Sequence, residues 1–304
     1  KDTEETSMRL DKLSWAAFVR EAEAKGSDLF EFLLARAAGE LETDKASVLA
    51  RLSAMLKVME ESVAYGLTGV PSNSGLTGGN AQKMAQAFPR KENERFMRLL
   101  GPLASDAVLY ATAVTECNAA MGRICAAPTA GASGIVPGVL LALRKHEDLS
   151  RTELVEGLLV AGVIGEVIAD RATLAGATGG CQAECGSGAA MAAGAAVYLL
   201  GGDGHQIDAA ISIVFKNVLG LVCDPVAGLV EVPCIKRNAG GAVQALLAAE
   251  MALLGVTSFI PADEAIDAME RVGRSLPHGL RETAEGGMAM TPTAQAWAKK
   301  YFAR

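Results

Sequence analysis

AGATGGCQAECGSGAAMAAG (175–194), followed after an apolar run by LGLVCDPVAGLVEVPCIKRNAGG (219–241), is the stretch on which both the fold and the chemistry turn. The residues from Gly186 to Gly202 are uncharged, which raises the question of a membrane span. They are mostly Ala and Gly with few large apolar side chains, so a core helix packed tightly on all sides is expected instead. Gly157 to Gly165 is likewise apolar, but too short to span, and Glu156, Glu166, Asp170 and Arg171 flank it. A helix this poor in bulk needs close helical neighbours, and the composition supplies them: of 304 residues 33 are Gly, half are apolar and only 5% are aromatic.

Working outward, helical periodicity dominates. Val48, Leu49, Leu52, Leu56, Met59 and Val63 recur at spacings of three and four, between a Thr43 cap and Gly66. Ser150-Arg151-Thr152-Glu153 has the form of a capping box ahead of Leu154 to Ile168. Pro102, Pro261 and Pro292 fall where first-turn prolines belong. The clearest strand-like alternation, Leu229-Val230-Glu231-Val232, is cut off by Pro233. The reading is all-α: a multi-helix globular domain with Gly-rich loops, spanning 41–304 as one continuous unit. Residues 1–40 are read as an N-terminal amphipathic helical arm (Leu10, Leu13, Phe18, Leu29, Phe32, Leu33) that packs on the body or on a partner.

The net charge of −7 argues against a nucleic-acid or anionic-membrane footprint. The opening KDTEETSMRLDKL has no apolar export segment, so a cytoplasmic location is expected and six cysteines point to thiols or metal ligands rather than disulfides.

Four cysteines, Cys181, Cys185, Cys223 and Cys234, lie in the opening stretch, each beside or near Gly or Pro. Apolar surroundings raise a thiol's pKa and leave it inert unless a metal holds the thiolate. Cys181 and Cys185, four apart, would also share one buried helix face. Prolines next to Cys223-Asp-Pro and Pro233-Cys234 suit iron–sulfur ligands, whereas His146, His205 and His278 are too distant in sequence to suggest zinc. Spacing leaves two readings open, a metal or cluster site and a set of buried structural cysteines.

Other motifs carry the same ambiguity. The turn APTAGASG (127–134), ahead of the apolar run Ile135 to Leu143, either seats a carboxylate on its backbone N–H groups or simply joins two packed helices. GLTGVPSNSGLTGG (66–79) and GATGGC (176–181) are similar turns. Lys236-Arg237-Asn238 is either a solvated helix start or a site in which Arg237 clamps a carboxylate and Asn238 orients a polar group. His278, in a Gly-punctuated polar loop, is a candidate acid or base or a plain loop histidine.

Taken together, GLTGVPSNSGLTGG, NAAMGRICAAPTAGASGIVPGVLLAL, GATGGCQAECGSGAAMAAGAA, CDPVAGLVEVPCIKRNAGGAVQA and LRETAEGGMAMTPT resemble, in order, the α subunit of the iron–sulfur-dependent bacterial L-serine dehydratases (L-serine ammonia-lyases). The resemblance implies a mainly helical lyase domain holding an oxygen-sensitive 4Fe–4S cluster through Cys181, Cys223 and Cys234, with Cys185 a non-ligand and Cys117 and Cys125 outside the motifs. It further implies that one iron stays open to act as a Lewis acid on the hydroxyl of L-serine, giving pyruvate and ammonia for amino-acid degradation and gluconeogenesis. A β subunit is the expected partner, and a group from it is expected to complete the site, the catalytic base being unassigned. Thr129, Ala130, Gly131 and Ser133, with Arg237 and Asn238, are the expected substrate contacts, and Ser72 and Ser74 are further candidates. Lys236 stands where the family more often has an acidic residue, which argues against acid–base work there but not against the cluster. AQAWAKKYFAR holds no cysteine to reach back to the open iron. A related lyase for L-threonine or L-cysteine would show the same motifs. So would a non-catalytic metal-binding or electron-transfer subunit, although an electron carrier normally seals every iron with protein ligands.

Overall fold

The structure, a computed structural model, describes residues 12–87 and 99–303. Among the described residues it is all-α, with thirteen α-helices and no strand beyond two isolated bridges, Pro71 with Gly78 and Cys223 with Arg281. The helices are α1 Trp15–Ala24, α2 Leu29–Glu40, α3 Lys45–Gly66, α4 Asn80–Ala87, α5 Gly101–Ala119, α6 Ile135–His146 and α7 Arg151–Arg171. After them come α8 Gly176–Gly179, α9 Ser187–Leu199, α10 Gly204–Val218, α11 Cys234–Leu253, α12 Ala262–Ser275 and α13 Pro292–Phe302. No helix among them is long and apolar enough to cross a membrane.

The Ala- and Gly-rich helix α9 is the axis of the fold. Residues Ser187 to Val197 are all buried, and α6, α7, α10 and α11 close around them. Small side chains make that approach possible. A Cβ on Gly194 would come within 2.2 Å of Ile164 Cδ1 on α7. The same logic joins α3 to α5, where a Cβ on Gly66 would lie 1.9 Å from the Ala113 carbonyl oxygen. With so little bulk on α9, the apolar area comes from its neighbours: Ile135, Leu140, Leu154, Ile164, Ile168, Ile207 and Phe215 are all fully buried. Burial of each such side chain contributes about 1.5–3 kcal/mol.

Helices α1 and α2 fold back onto this body. Trp15, Phe18, Phe30, Leu33 and Leu34 belong to the same core cluster as α9, and the Trp15 indole N–H donates to the Gly204 carbonyl at 2.9 Å. Asp263 anchors the start of α1 through Ser14 Oγ at 2.6 Å and Trp15 N at 3.0 Å. Leu10 lies outside the described residues.

The expected helix starts are observed with small corrections. The capping box at Ser150 forms as written, and Asp203 makes a second one on α10. Asp44, not Thr43, caps α3: it is the residue directly before the helix, and its carboxylate accepts the Ser47 N–H at 2.7 Å. Pro102 and Pro292 occupy the first turns of α5 and α13, whereas Pro261 is the residue just before α12. The strand-like alternation at Leu229–Val232 forms no strand, as the all-α reading expects. Ala227 (φ +55°) and Gly228 (φ +72°) bend the chain, Val226 N–H closes the loop on the Val232 carbonyl at 2.9 Å, and no neighbouring strand is there to pair with it.

Candidate active site

The four cysteines of the opening stretch come from three segments that meet at one end of α9. Cys181 precedes, and Cys185 lies within, a π-helical turn, Gln182–Gly186, which feeds directly into α9. Such turns recur at functional sites because they re-aim side chains that a regular helix would stack. Gln182 stitches this turn to its surroundings, accepting from Gly220 N at 2.9 Å and donating to the Met269 carbonyl at 3.0 Å. Cys223 sits on the next loop, held by a backbone clamp: its N–H donates to the Leu280 carbonyl at 2.9 Å, and Glu282 N–H donates to its carbonyl at 2.7 Å. Asp224, beside it, accepts from Met288 N at 2.7 Å. Cys234 opens α11.

All four thiols are free and buried, with Cys181 2%, Cys223 3%, Cys185 4% and Cys234 8% exposed. Cys181 and Cys185 sulfurs lie 3.4 Å apart and share a hydrogen bond. Burial pushes the Cys223 thiol well above its ordinary value and the Cys234 thiol up to about 12, with the charges of Cys181 and Glu184 adding to both. Cys181 is driven the other way, first by the Cys185 hydrogen bond and then, against burial, by the Arg237 guanidinium. Cys181, Cys223 and Cys234 are thus close enough to feel one another's charge. Among the described residues, however, no three His, Cys, Asp or Glu side chains are placed to hold a single metal ion. Cys117 is buried in α5 and Cys125 half-buried beyond it, away from these three segments in the chain.

Arg237, one turn into α11, grips the Cys223 loop on both sides. Its Nη1 donates to the Val222 carbonyl at 2.8 Å, and its Nη2 lies 2.8 Å from Asp224 Oδ1, although the N–H is not aimed at that oxygen. Asn238 is fully buried and does the same for the 129–134 turn. It donates to the Gly131 carbonyl at 2.7 Å and the Cys234 carbonyl at 3.0 Å, and accepts from Gly134 N at 3.0 Å. In that turn, a 3-10 helix at Ala130–Ala132, the Ala132 and Ser133 N–H groups bond back to Thr129 and Ala130 carbonyls. Thr129 Oγ1 donates to Glu184 Oε1 at 2.8 Å. The turn, the π-helical segment and α11 are therefore one hydrogen-bonded unit.

Glu184 is the residue that spacing arguments missed. It is the only charged side chain between Arg171 and Asp203. Burial and the nearby Glu282 raise its carboxyl's pKa against the Thr129 hydrogen bond. Its charge reaches all four thiols. A carboxylate standing alone between two cysteines in an uncharged stretch was the available signal.

The other sequence candidates lie apart. His278 is largely exposed, 3.4 Å from Glu285, although its own short 3-10 segment supplies the Leu280 carbonyl that holds Cys223. Ser72 and Ser74 are buried 3.1 Å apart and are used within their own turn, accepting from Thr77 N and Leu76 N. Five buried side-chain polar atoms among the described residues have no hydrogen-bond partner: Ser133 Oγ, Ser187 Oγ, Asp224 Oδ1, Glu231 Oε2 and Arg281 Nε. Every one belongs to a segment that carries a cysteine or touches one that does. A cleft of about 600 Å³ opens at Cys185, lined also by Val218, Leu221, Pro233, Lys236 and Arg237.

An all-α scaffold that gathers buried thiols and unpartnered polar atoms at one end is that of an enzyme or of a metal-binding protein, and comparison with known proteins decides between them. The sequence model of the serine dehydratase alpha chain family matches residues 10–289, and the chain belongs to that family. A dehydratase is a lyase, so this is a chain of a lyase. A probable L-serine dehydratase alpha chain of Bacillus subtilis (strain 168) is 51% identical over 261 residues, covering 86% of this chain and 85% of the relative. The L-serine dehydratase alpha chain of Peptoniphilus asaccharolyticus is 42% identical over 274 residues, covering 89% and 91%. The L-serine dehydratase of Streptomyces coelicolor is 45% identical over 184 residues, which are 60% of this chain but 40% of the relative.

Proposed function

We propose that the chain is the catalytic α subunit of an L-serine dehydratase that eliminates water from L-serine to give pyruvate and ammonia, using a 4Fe–4S cluster held by Cys181, Cys223 and Cys234. The observation that carries the proposal is the convergence of those three buried thiols from three separate segments: the Cys181 turn braced by Gln182, the Cys223 loop by Arg237 and the Leu280–Glu282 clamp, and Cys234 at the head of α11 by Asn238. Thiols pushed up by burial are poor nucleophiles but good ligands once a soft metal takes the proton's place. Three buried cysteines with no histidine on their segments make a soft, all-sulfur donor set of the kind an iron–sulfur cluster takes.

Bound there, the cluster would supply Lewis acidity toward the substrate hydroxyl through an iron that no protein ligand fills. The chain's own residues do the rest. Thr129, Ala130, Gly131 and Ser133 form the seat for the substrate carboxylate, with the unpartnered Ser133 hydroxyl as a donor in waiting. Asn238 holds that seat against α11, and Arg237 holds the Cys223 loop and turns positive charge toward Cys181.

A separate β chain closes the site in this reading. Its support is the pattern of lengths: this chain covers most of the proteins named alpha chain but less than half of relatives named simply L-serine dehydratase. The remainder of those longer proteins corresponds to what the β chain supplies here. Iron and sulfide analysis of anaerobically reconstituted protein tests the proposal. Brown protein that changes its visible spectrum on adding L-serine is expected. Replacing Cys181, Cys223 or Cys234 with Ala should abolish colour and pyruvate release, whereas Cys117→Ala should keep both. Iron bound equally well by all three single variants would sink it.

A further inference from the structure

We propose that Glu184 is the group on this chain that takes the α-proton from the amino-acid substrate. The inference rests on the function just proposed and assigns the proton acceptor that it leaves open. Elimination of water across Cα–Cβ needs a base, and a base must sit where the substrate sits. The chain offers few. Of its three histidines, His146 is paired with Asp106, His205 with Glu23, and His278 lies at the surface. Asp224 already carries Arg237 and Met288 N.

Glu184 differs from these in three ways. Its carboxylate bridges the substrate seat and the thiols, bonded to Thr129 on one side and standing close to Cys223 on the other. A Cβ built on Gly176 would come within 2.6 Å of its Oε2 and 3.0 Å of the Cys223 sulfur. Among the described residues it forms no ion pair with Lys, Arg or His, and its one side-chain hydrogen bond is the one from Thr129. The space around it is also kept clear by two glycines, since a Cβ on Gly131 would approach Oε1 to 3.0 Å as well. One hydroxyl donor orients the group and leaves its second oxygen uncommitted, as a proton acceptor requires.

The step balances within the chain and substrate. The Cα–H bond breaks and its proton forms an O–H on the Glu184 carboxylate. The electron pair left behind becomes the Cα=Cβ bond, and the Cβ–O bond breaks with oxygen keeping its pair. The hydroxide so released and the proton on Glu184 together make the water that is lost, leaving aminoacrylate to tautomerise and hydrolyse.

The test compares wild type, Glu184→Gln and Glu184→Asp, each prepared anaerobically with the β chain. Four quantities are read: iron and sulfide content, the serine-induced spectral change, kcat with ordinary and α-deuterated L-serine, and deuterium entering recovered serine from D₂O. Glu184→Gln should hold the cluster and respond to serine, yet lose about 10²–10⁴-fold in kcat, the usual contribution of a general base. Glu184→Asp should keep part of the rate and show a larger α-deuterium isotope effect, because a shorter carboxylate makes proton removal slower. Wild-type turnover by the Gln variant overturns the assignment. If the Gln variant loses its iron, the Asp variant decides, and an unchanged rate and isotope effect there overturn it equally. Wild-type protein that takes up no iron would instead refute the cofactor reading and is thus told apart.

Discussion

Two ends of the molecule handle their polar groups in opposite ways. At the corner where α3, α5, α6 and α7 meet, every buried or half-buried charge has its partner. Glu60 pairs with Arg144 and Arg151, and Asp106 with Lys145 and His146. Deep in α5, Glu116 takes the Asn80 and Ala81 N–H groups that begin α4. At the cysteine end, among the described residues, lie the five buried atoms without a hydrogen bond, of which only Asp224 Oδ1 has a charge beside it, and the Glu184 carboxylate, which forms no ion pair there. Buried polar groups are nearly always satisfied in a folded protein, so one end is built for stability. The other leaves groups unpaired that the proposed cofactor, substrate and subunit would partner.

That contrast can be broken by mutation. The largest effect is expected at the brace between the two regimes. Asn238→Ala leaves the Gly131 carbonyl and the Gly134 N–H without this partner in the interior, and should cost about 2–5 kcal/mol, read as a lower urea midpoint. An unchanged midpoint would mean that the 129–134 turn is held by something else. Next comes a change of opposite sign. Ser133→Ala removes a buried hydroxyl that bonds to nothing, and should raise stability by about 1 kcal/mol while weakening the serine-induced spectral response. A drop in melting temperature would show that the hydroxyl already has a partner. The smallest effect belongs to the satisfied corner. Glu60→Ala breaks partly exposed ion pairs, so about 1 kcal/mol or less is expected, shrinking further in high salt, with turnover unaltered.

Much of the scaffold was legible because its elements obey local rules. The three-and-four spacing of α3, the Ser150 box on α7 and the bulk-free run of α9 each state a helix without help from elsewhere. Where a local rule misled it was by one residue, Asp44 rather than Thr43 starting α3. Leu229–Val232 alternates like a strand, but Pro233 argues against one, and Ala227 and Gly228 at positive φ curl it onto Val226. The site was legible only as a set of candidates. Spacing alone could not choose ligands among six cysteines, since the choice depends on loops far apart in sequence meeting at one helix end. Arg237 and Asn238 were marked as polar residues near a cysteine, but their bonds to Val222, Gly131 and Gly134 are tertiary facts. Glu184 was hidden in a stretch read for its thiols, and the π-helical turn that aims it has no sequence signature.

The clamp on Cys223 has a consequence for biosynthesis. Its backbone partners, Leu280 and Glu282, and the Met288 N–H that steadies its neighbour are all synthesised well after Cys223 itself. A nascent polypeptide halted before Pro277 would carry Cys223 yet lack the lock on it. Alkylation of such stalled chains should tag Cys223 readily, and the tagging should fade once Leu280, Glu282 and Met288 have emerged.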